Sequence, residues 1–371
     1  MNTTSKAHLL PLLCGFFCLI SAVLYAGEIE GFNPVIPRRL GMGTAALTTV
    51  WGTETLWINP AVLANSRPEF NLVSLAMTGY GSFNGLTAAF PVGGDIGAML
   101  QAMEEDIITG GAALNVASGL GWTGRGWGAA FFTDIDLFAA GTSLPDATSG
   151  YFDATLAVPL GFGWTLPLDA SIDVSLGAAL RPSLKYRTEA GPDLVRLFID
   201  NPAEAEKITD EALSQPAWGI PVDLGFLAEF PGGFKAAAVV KNLAGSYYGG
   251  PSDADWYVHW GLDAGIGWKP SRSLFRSVVE PAFALDLHNI NRIIADKWSI
   301  MEETAFGVEL AFFRRVATVQ AGFHGGSPSL GLRLDLLVVE LSAAWTTTDF
   351  SKQPDGGRVQ TISLEFAFRI N

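Results

Sequence analysis

VQTISLEFAFRI, residues 359–370, alternates without interruption. Ile362, Leu364, Phe366, Phe368 and Ile370 fall on one face; Thr361, Ser363, Glu365, Ala367 and Arg369 fall on the other. Neighbouring side chains of an extended strand point to opposite sides, so period two reads as a strand with one greasy face and one small or polar face. YFDATLAVPLGFGW (151–164) repeats the pattern, setting Phe152, Ala154, Leu156, Val158, Leu160, Phe162 and Trp164 against Asp153 and Thr155. In YVHWGLDAGIGW (257–268), Val258, Trp260, Leu262, Ile266 and Trp268 oppose His259, Asp263, Gly261, Gly265 and Gly267.

Alternation also marks 171–181, 220–230, 276–288, 304–313, 315–324, 328–336 and 337–346. Counted from residue 69, the chain predicts about fourteen strands. Two stretches, 69–91 and 125–140, change parity internally. A soluble sandwich and a membrane barrel share this pattern and differ in what touches the greasy face. Three features favour the barrel. Many segments reach the ~9–11 residues that a tilted spanning strand needs. Trp122, Trp127, Trp164, Trp256, Trp268 and Trp345 sit near strand ends, as interfacial girdles do. The small face is rich in glycine, whereas a soluble sandwich covers its outside with Lys and Glu.

Composition agrees. Hydrophobic residues make up 49% of the 371, charged residues 16%, and mean hydropathy is positive. A net charge of −14 argues against a nucleic-acid partner, which needs a cationic face. LLPLLCGFFCLISAVL (9–24), preceded by Lys6 and His8 and followed by Ala26, reads as a signal peptide over residues 1–26. Both cysteines, Cys14 and Cys18, lie within it, so the exported chain is expected to use neither disulfides nor thiolate-bound metal. DIGAMLQAMEEDI (95–107) and the stretch 191–214 read as helical insertions at a barrel rim, the second with Leu194, Leu197 and Phe198 as an apolar face. Asn201 and Pro202 there suit a helix cap and first turn.

Residues 27–66 have no period-two pattern. They contain Gly41, Met42 and Gly43, then Leu56 and Trp57, then Asn59, Pro60 and Ala61. The segment 38–70 resembles the N-terminal region of the outer-membrane long-chain fatty-acid transporter (FadL-like) family, including its spirochaete and secretion-system relatives. VVKNLAG (239–245) is similar to a strand-end Asn-Leu-Gly pattern of such barrels, with Ala244 before the glycine. Two departures stand out. The interval before Asn59 is Thr-rich with Trp51 and Glu54, and the chain closes on Ile370 and Asn371 rather than an aromatic residue. Phe366 and Phe368 keep the aromatic pair expected to be read by the barrel-assembly machinery.

The resemblance implies a domain plan: a plug over 27–66 inside a transmembrane barrel over 67–371. It implies a monomer in the outer membrane, among its lipids, passing hydrophobic small molecules such as long-chain fatty acids. Trp57, Ile58, Asn59, Pro60 and Leu63, with Leu194, Leu197 and Phe198, become the candidate plug and ligand contacts. A barrel that acts as an adaptor for exported proteins, without transport, is the alternative.

Catalytic and cofactor signatures point elsewhere. His259, His288 and His324 fall on polar phases, able to meet Asp263, Asp286 or Glu309 across a lumen, yet the sequence has no G-x-S-x-G elbow. GMGTAA (41–46) fits G-x-G-x-x-A but follows no strand, so no dinucleotide site is expected. The sequence reading is therefore a non-enzyme without metal or cofactor.

Overall fold

The computed structural model describes residues 27–28, 32, 34–82, 104–141, 149–166, 172–190, 215–250, 256–270, 278–295, 299–351 and 357–370. The expected signal peptide and the insertion at 191–214, with Leu194, Leu197 and Phe198, lie outside these residues.

Fourteen antiparallel strands form the wall. They are β1 (Glu69–Tyr80), β2 (Ala112–Gly124), β3 (Trp127–Ala140), β4 (Ser149–Ala157, then Leu160–Leu166), β5 (Asp173–Leu180, then Ser183–Ala190), β6 (Ala217–Gly219, then Val222–Glu229) and β7 (Phe234–Leu243, then Ser246–Tyr248). Next come β8 (Trp256–Tyr257, then Gly261–Trp268), β9 (Val279–Leu287), β10 (Thr304–Phe312), β11 (Ala317–His324), β12 (Ser327–Leu336), β13 (Val339–Asp349) and β14 (Arg358–Ile370). Pairing of β1 with β14, from Phe70↔Ile370 to Tyr80↔Thr361, closes the ring. Closure leaves no sheet edge, which is what lets strands cross a membrane with every backbone group paired. Among the described residues no helix is long and apolar enough to span.

Alternation sorts the two faces as the sequence requires. In β14, Leu364 is 48% exposed and Phe366 44%, whereas Thr361, Ser363 and Ala367 are fully buried. Leu75, Phe131, Phe226, Leu285, Phe306 and Leu332 continue the outward apolar band. Such a band around the ring is satisfied by acyl chains. Inward hydroxyls pair across strands, Thr78 with Ser363 and Thr348 with Thr361, each at 2.6 Å, and Ser118 pairs with Thr133 on the outward face at 2.7 Å.

The parity changes have separate causes. In β1 the register slips between Asn71 and Val73, a bulge that leaves Leu72 and Val73 both facing out. In β3 the register holds, but Phe132 and Phe138 take inward positions. The pattern at 95–107 yields a helix at Glu104–Thr109, its earlier part lying outside the described residues.

Two expectations need correction. Residues 151–164 and 257–268 do not form unbroken strands. Pro159 interrupts β4, although the outward phase of Phe152 through Trp164 is kept. β8 is interrupted at 258–260, and Val258 is buried with Ala217 and Tyr247 rather than facing outward. The breaks are neighbours. β4 breaks at Val158–Pro159, β5 at Arg181–Pro182 and β6 at Ile220–Pro221. In β7, Asn242 and Ala244 adopt left-handed backbone. Proline cannot donate to the ladder. Across this seam the ladder is carried by Val158 N–H to Pro182 O at 2.8 Å and Arg181 N–H to Pro221 O at 2.9 Å. Val258 N–H donates to Gly245 O at 2.9 Å.

Short turns at Arg125–Gly126, 231–233, 313–316 and 337–338 gather at one end. β1 and β2, β3 and β4, and β5 and β6 are joined at the other end through longer connections.

The lipid-facing assignment makes a depth-dependent prediction. Leu364→Arg, near the middle of β14, should lower unfolding stability in lipid vesicles by ~2–4 kcal/mol, whereas Ile370→Arg at its end should cost ~0–1 kcal/mol. Equal costs at the two positions would contradict it.

Candidate functional site

Residues 34–66 lie against the inward faces of the wall. Their path follows from local chemistry. Pro37 starts a short helix, Pro37–Gly41, at the position where a missing N–H costs nothing. Gly43 and Thr44 then turn through positive φ. A second turn of helix, Thr55–Ile58, stops at Asn59, whose backbone is extended. Asn59 caps the following 3₁₀ segment, Pro60–Asn65, its Oδ1 accepting from Ala61 N–H at 3.1 Å. The Asn59 amide donates to Leu47 O at 3.0 Å and to Phe226 O of β6 at 3.5 Å. Asn59 is fully buried, so one side chain satisfies groups on two loops and leans on the wall.

The wall makes room with glycine. A Cβ at Gly177 of β5 would overlap Ala61 N and the Pro60 carbonyl. At Gly225 of β6 it would stand 2.8 Å from Ala61 N and closer still to Asn59 Oδ1. No other residue admits the Asn-Pro-Ala turn so close to these strands.

Trp57, Ile58 and Leu63 are buried in one cluster with Phe32, Leu47, Val50, Leu56, Phe132, Leu227 and Val239. The Trp57 ring meets Phe132 edge-on at 4.5 Å and Phe32 at 5.8 Å. Fully burying a side chain of this kind contributes ~1.5–3 kcal/mol. Trp57 Nε1 has no hydrogen-bond partner among the described residues. Of the sequence candidates, Trp57, Ile58, Asn59, Pro60 and Leu63 thus come together.

Polar groups of the wall tie the segment down at several levels. Near the middle, the Asp286 carboxylate of β9 accepts from Ala46 N–H at 2.6 Å and Leu47 N–H at 2.9 Å. At the seam, Arg181 donates to Phe32 O at 3.1 Å and pairs with Asp223 at 3.0 Å, and it also bonds the Asn242 side chain. Toward the short-turn end, the guanidinium groups of Arg38, Arg333 and Arg369 surround Trp51 at 4.9, 5.1 and 5.0 Å from a ring centroid. Arg38 pairs with Glu54 at 3.4 Å, and Arg369 pairs with Glu340 and Glu365, each at 3.3 Å. Losing one member of such a group leaves the other charges buried and uncompensated, a large cost.

His324 closes β11 on its inward face, opposite Ala305, and His288 keeps the inward phase of Asp286 just beyond β9, as the sequence reading has them, whereas His259 leaves its strand phase. His259 falls in the interruption of β8, and His288 follows β9. His288 Nδ1 is 3.2 Å from Asp263 Oδ2, its ring meets His324 edge-on at 5.9 Å, and Nε2 stands 3.5 Å from Thr44 Oγ1. The same Asp263 oxygen takes Lys241 Nζ at 2.7 Å, so this carboxylate serves an ion pair as well as the imidazole.

Above the inner segment, toward the longer connections, Tyr80, Phe138 and Phe350 cluster with Tyr151. Phe138 stacks on Tyr151 at 5.4 Å and meets Phe350 at 5.0 Å. The sequence reading missed this cluster and the Arg181 group. The available signals were aromatic residues on an inward parity and an arginine directly before a strand proline.

No family model matches the sequence, and no curated protein is significantly similar to it. Solved structures do share its fold. The toluene transporter TbuX of Ralstonia pickettii aligns at 11% identity with a TM-score of 0.55, covering 91% of this chain and 98% of that one. The toluene transporter TodX of Pseudomonas putida aligns at 12% identity and a TM-score of 0.51, covering 93% and 99%. A TodX variant described as a monoaromatic hydrocarbon channel lacking S2 aligns at 12% identity, with a TM-score of 0.54 over 90% and 97%. The expected barrel architecture is therefore that of known outer-membrane transporters.

Asn59→Leu keeps the branching of the side chain and removes its hydrogen bonds. It should lower stability by ~1–3 kcal/mol and speed proteolysis within residues 34–66 while the folded barrel band persists on an unboiled gel. Unchanged stability would mean that the turn does not depend on Asn59.

Proposed function

We propose that the chain is an outer-membrane channel for hydrophobic small molecules, with residues 27–66 as its plug. Long-chain fatty acids are the ligand class implied by the resemblance of residues 38–70; small aromatic hydrocarbons are the class named for TbuX and TodX. The carrying observation is apolar surface placed where a diffusion pore would keep water. The lumen holds the cluster of Tyr80, Phe138, Tyr151 and Phe350, and beneath it the packed core around Trp57 and Leu63. An open aqueous pore has a polar interior.

The reading has three steps. A hydrophobic molecule leaves water for the aromatic cluster, each buried methylene contributing ~0.8 kcal/mol. The inner segment then shifts, because its core of Trp57, Ile58 and Leu63 occupies the way through. The molecule leaves by the lumen or through the wall. Leu194, Leu197 and Phe198 belong to this proposal as rim contacts.

Uptake tests it directly. Cells expressing the chain should accumulate labelled toluene or oleate saturably and faster than cells with an empty vector. Phe138→Ala should weaken capture by ~0.5–1.5 kcal/mol, read as a roughly twofold to twelvefold higher half-saturation concentration. A correctly folded barrel that gives no uptake of either compound would overturn the channel reading and favour the adaptor.

A further inference from the structure

Two turns at the short-turn end carry large apolar residues at their tips. Phe313, in the β10–β11 turn, is 66% exposed, and Leu337, in the β12–β13 turn, is 90% exposed. Val316, Leu336 and Val338 are exposed beside them. The two turns are neighbours, since Asp335 N–H donates to Val316 O at 2.8 Å. Two other turns at this end have ordinary turn residues instead, Arg125–Gly126 and Pro231–Gly233.

These tips gain little inside the chain. Leu337 holds a φ of 68°, and Phe313, Arg314 and Arg315 hold 51°, 57° and 74°. Left-handed backbone in a tight turn ordinarily takes glycine or asparagine, which adopt it at less cost. A side chain that stays mostly exposed recovers little of that cost from its own protein, so its partner lies outside the chain. The wall says what kind of partner. On β12, Leu332, Leu334 and Leu336 follow one another on the outward face and lead directly to Leu337. Val319 of β11 and Leu341 of β13 flank them, also outward and exposed. The tips thus continue the band that meets acyl chains.

Charge is unevenly answered at the same place. Arg315 donates to Glu280 at 3.2 Å, and Lys235 is paired with Glu229. Lys269 has Glu309 and Glu280 near it as well as Arg315. Asp335, at the end of β12, makes no ion pair with either arginine of the neighbouring turn. The Arg314 guanidinium is exposed and has neither ion pair nor hydrogen bond among the described residues. An unanswered guanidinium at the edge of an acyl-facing band, on a chain of net charge −14, matches a phosphate group set above acyl chains.

We propose that the β10–β11 and β12–β13 turns bind an anionic phospholipid of the adjoining leaflet, with Arg314 on the phosphate and Phe313 and Leu337 among the acyl chains. Short turns of outer-membrane barrels face the periplasm, which places the site on that leaflet. The site goes beyond the channel reading and does not depend on it. It rests on the lipid-facing assignment of the outward band.

Native mass spectrometry tests it on the full protein in neutral detergent, titrated with dioleoyl phosphatidylglycerol and, as the zwitterionic match, dioleoyl phosphatidylcholine. The first phosphatidylglycerol should bind saturably and about fivefold more tightly than phosphatidylcholine, the difference one arginine makes at an anionic surface. Arg314→Gln should erase that preference, and Arg314→Lys should keep most of it. Leu337→Ser should weaken both lipids alike and leave their ratio unchanged. Arg125→Gln, at a different short turn, should change neither. Unboiled gel mobility verifies that each variant holds the folded barrel. Four outcomes overturn the proposal. A wild type without preference would leave the apolar tips to a protein partner. A preference that survives Arg314→Gln, or falls equally in Arg125→Gln, would make the effect one of overall charge. Unchanged affinity for both lipids in Leu337→Ser would remove the acyl contact. Glycerol phosphate competing as well as the lipid would make Arg314 a bare-anion site. Toluene and oleate uptake reads the channel separately, so either proposal can fail while the other stands.

Discussion

A closed ring of fourteen strands leaves no sheet edge but presents an inward face that needs partners, and residues 34–66 of this chain pack against that face. The rest of the structure follows from that fit. Gly177 and Gly225 are bare because the Asn-Pro-Ala turn lies against them. Asp286 and Arg181 are buried because carbonyls and amides of the inner segment need partners. The three arginines around Trp51 need the surrounding carboxylates, since a buried guanidinium is tolerable only when compensated.

The wall is not uniform. On β4–β8 a contiguous seam of interruptions replaces regular pairing, three of them set by Pro159, Pro182 and Pro221. Arg181 sits at that seam and joins the inner segment to β6 and β7 through Phe32, Asp223 and Asn242. On the opposite side, β9–β14 pair without interruption. The inner segment is thus held between a regular half and a broken half. A change in its position would strain the broken half first, because fewer ladder bonds must be given up there.

Much of the architecture was legible because a lipid-facing barrel writes its two faces at period two. Residues 359–370 carried that signal cleanly, and the closing strand follows it residue by residue. Legibility failed where a side chain on the inward parity serves the inner segment instead of a polar lumen. Phe132 blurred the pattern of β3 for this reason, and Phe138 did so because it joins the luminal cluster of Tyr80, Tyr151 and Phe350. It failed again where proline breaks a strand without changing its phase, as at Pro159, and where Val258 turns inward at the break in β8. The turn at Asn59 was readable as a turn, but not its bonds to Leu47 and Phe226, which are set by tertiary contact.

Amide hydrogen exchange on the folded protein in lipid tests the packing of the inner segment most directly, because it reads each bond without substitution. The amides of Ala46, Leu47 and Ala61, held by Asp286 and Asn59, should exchange as slowly as those of the β14 strand. Exchange at open-chain rates for these three, in a barrel whose strand amides remain protected, would contradict a wall built around residues 34–66.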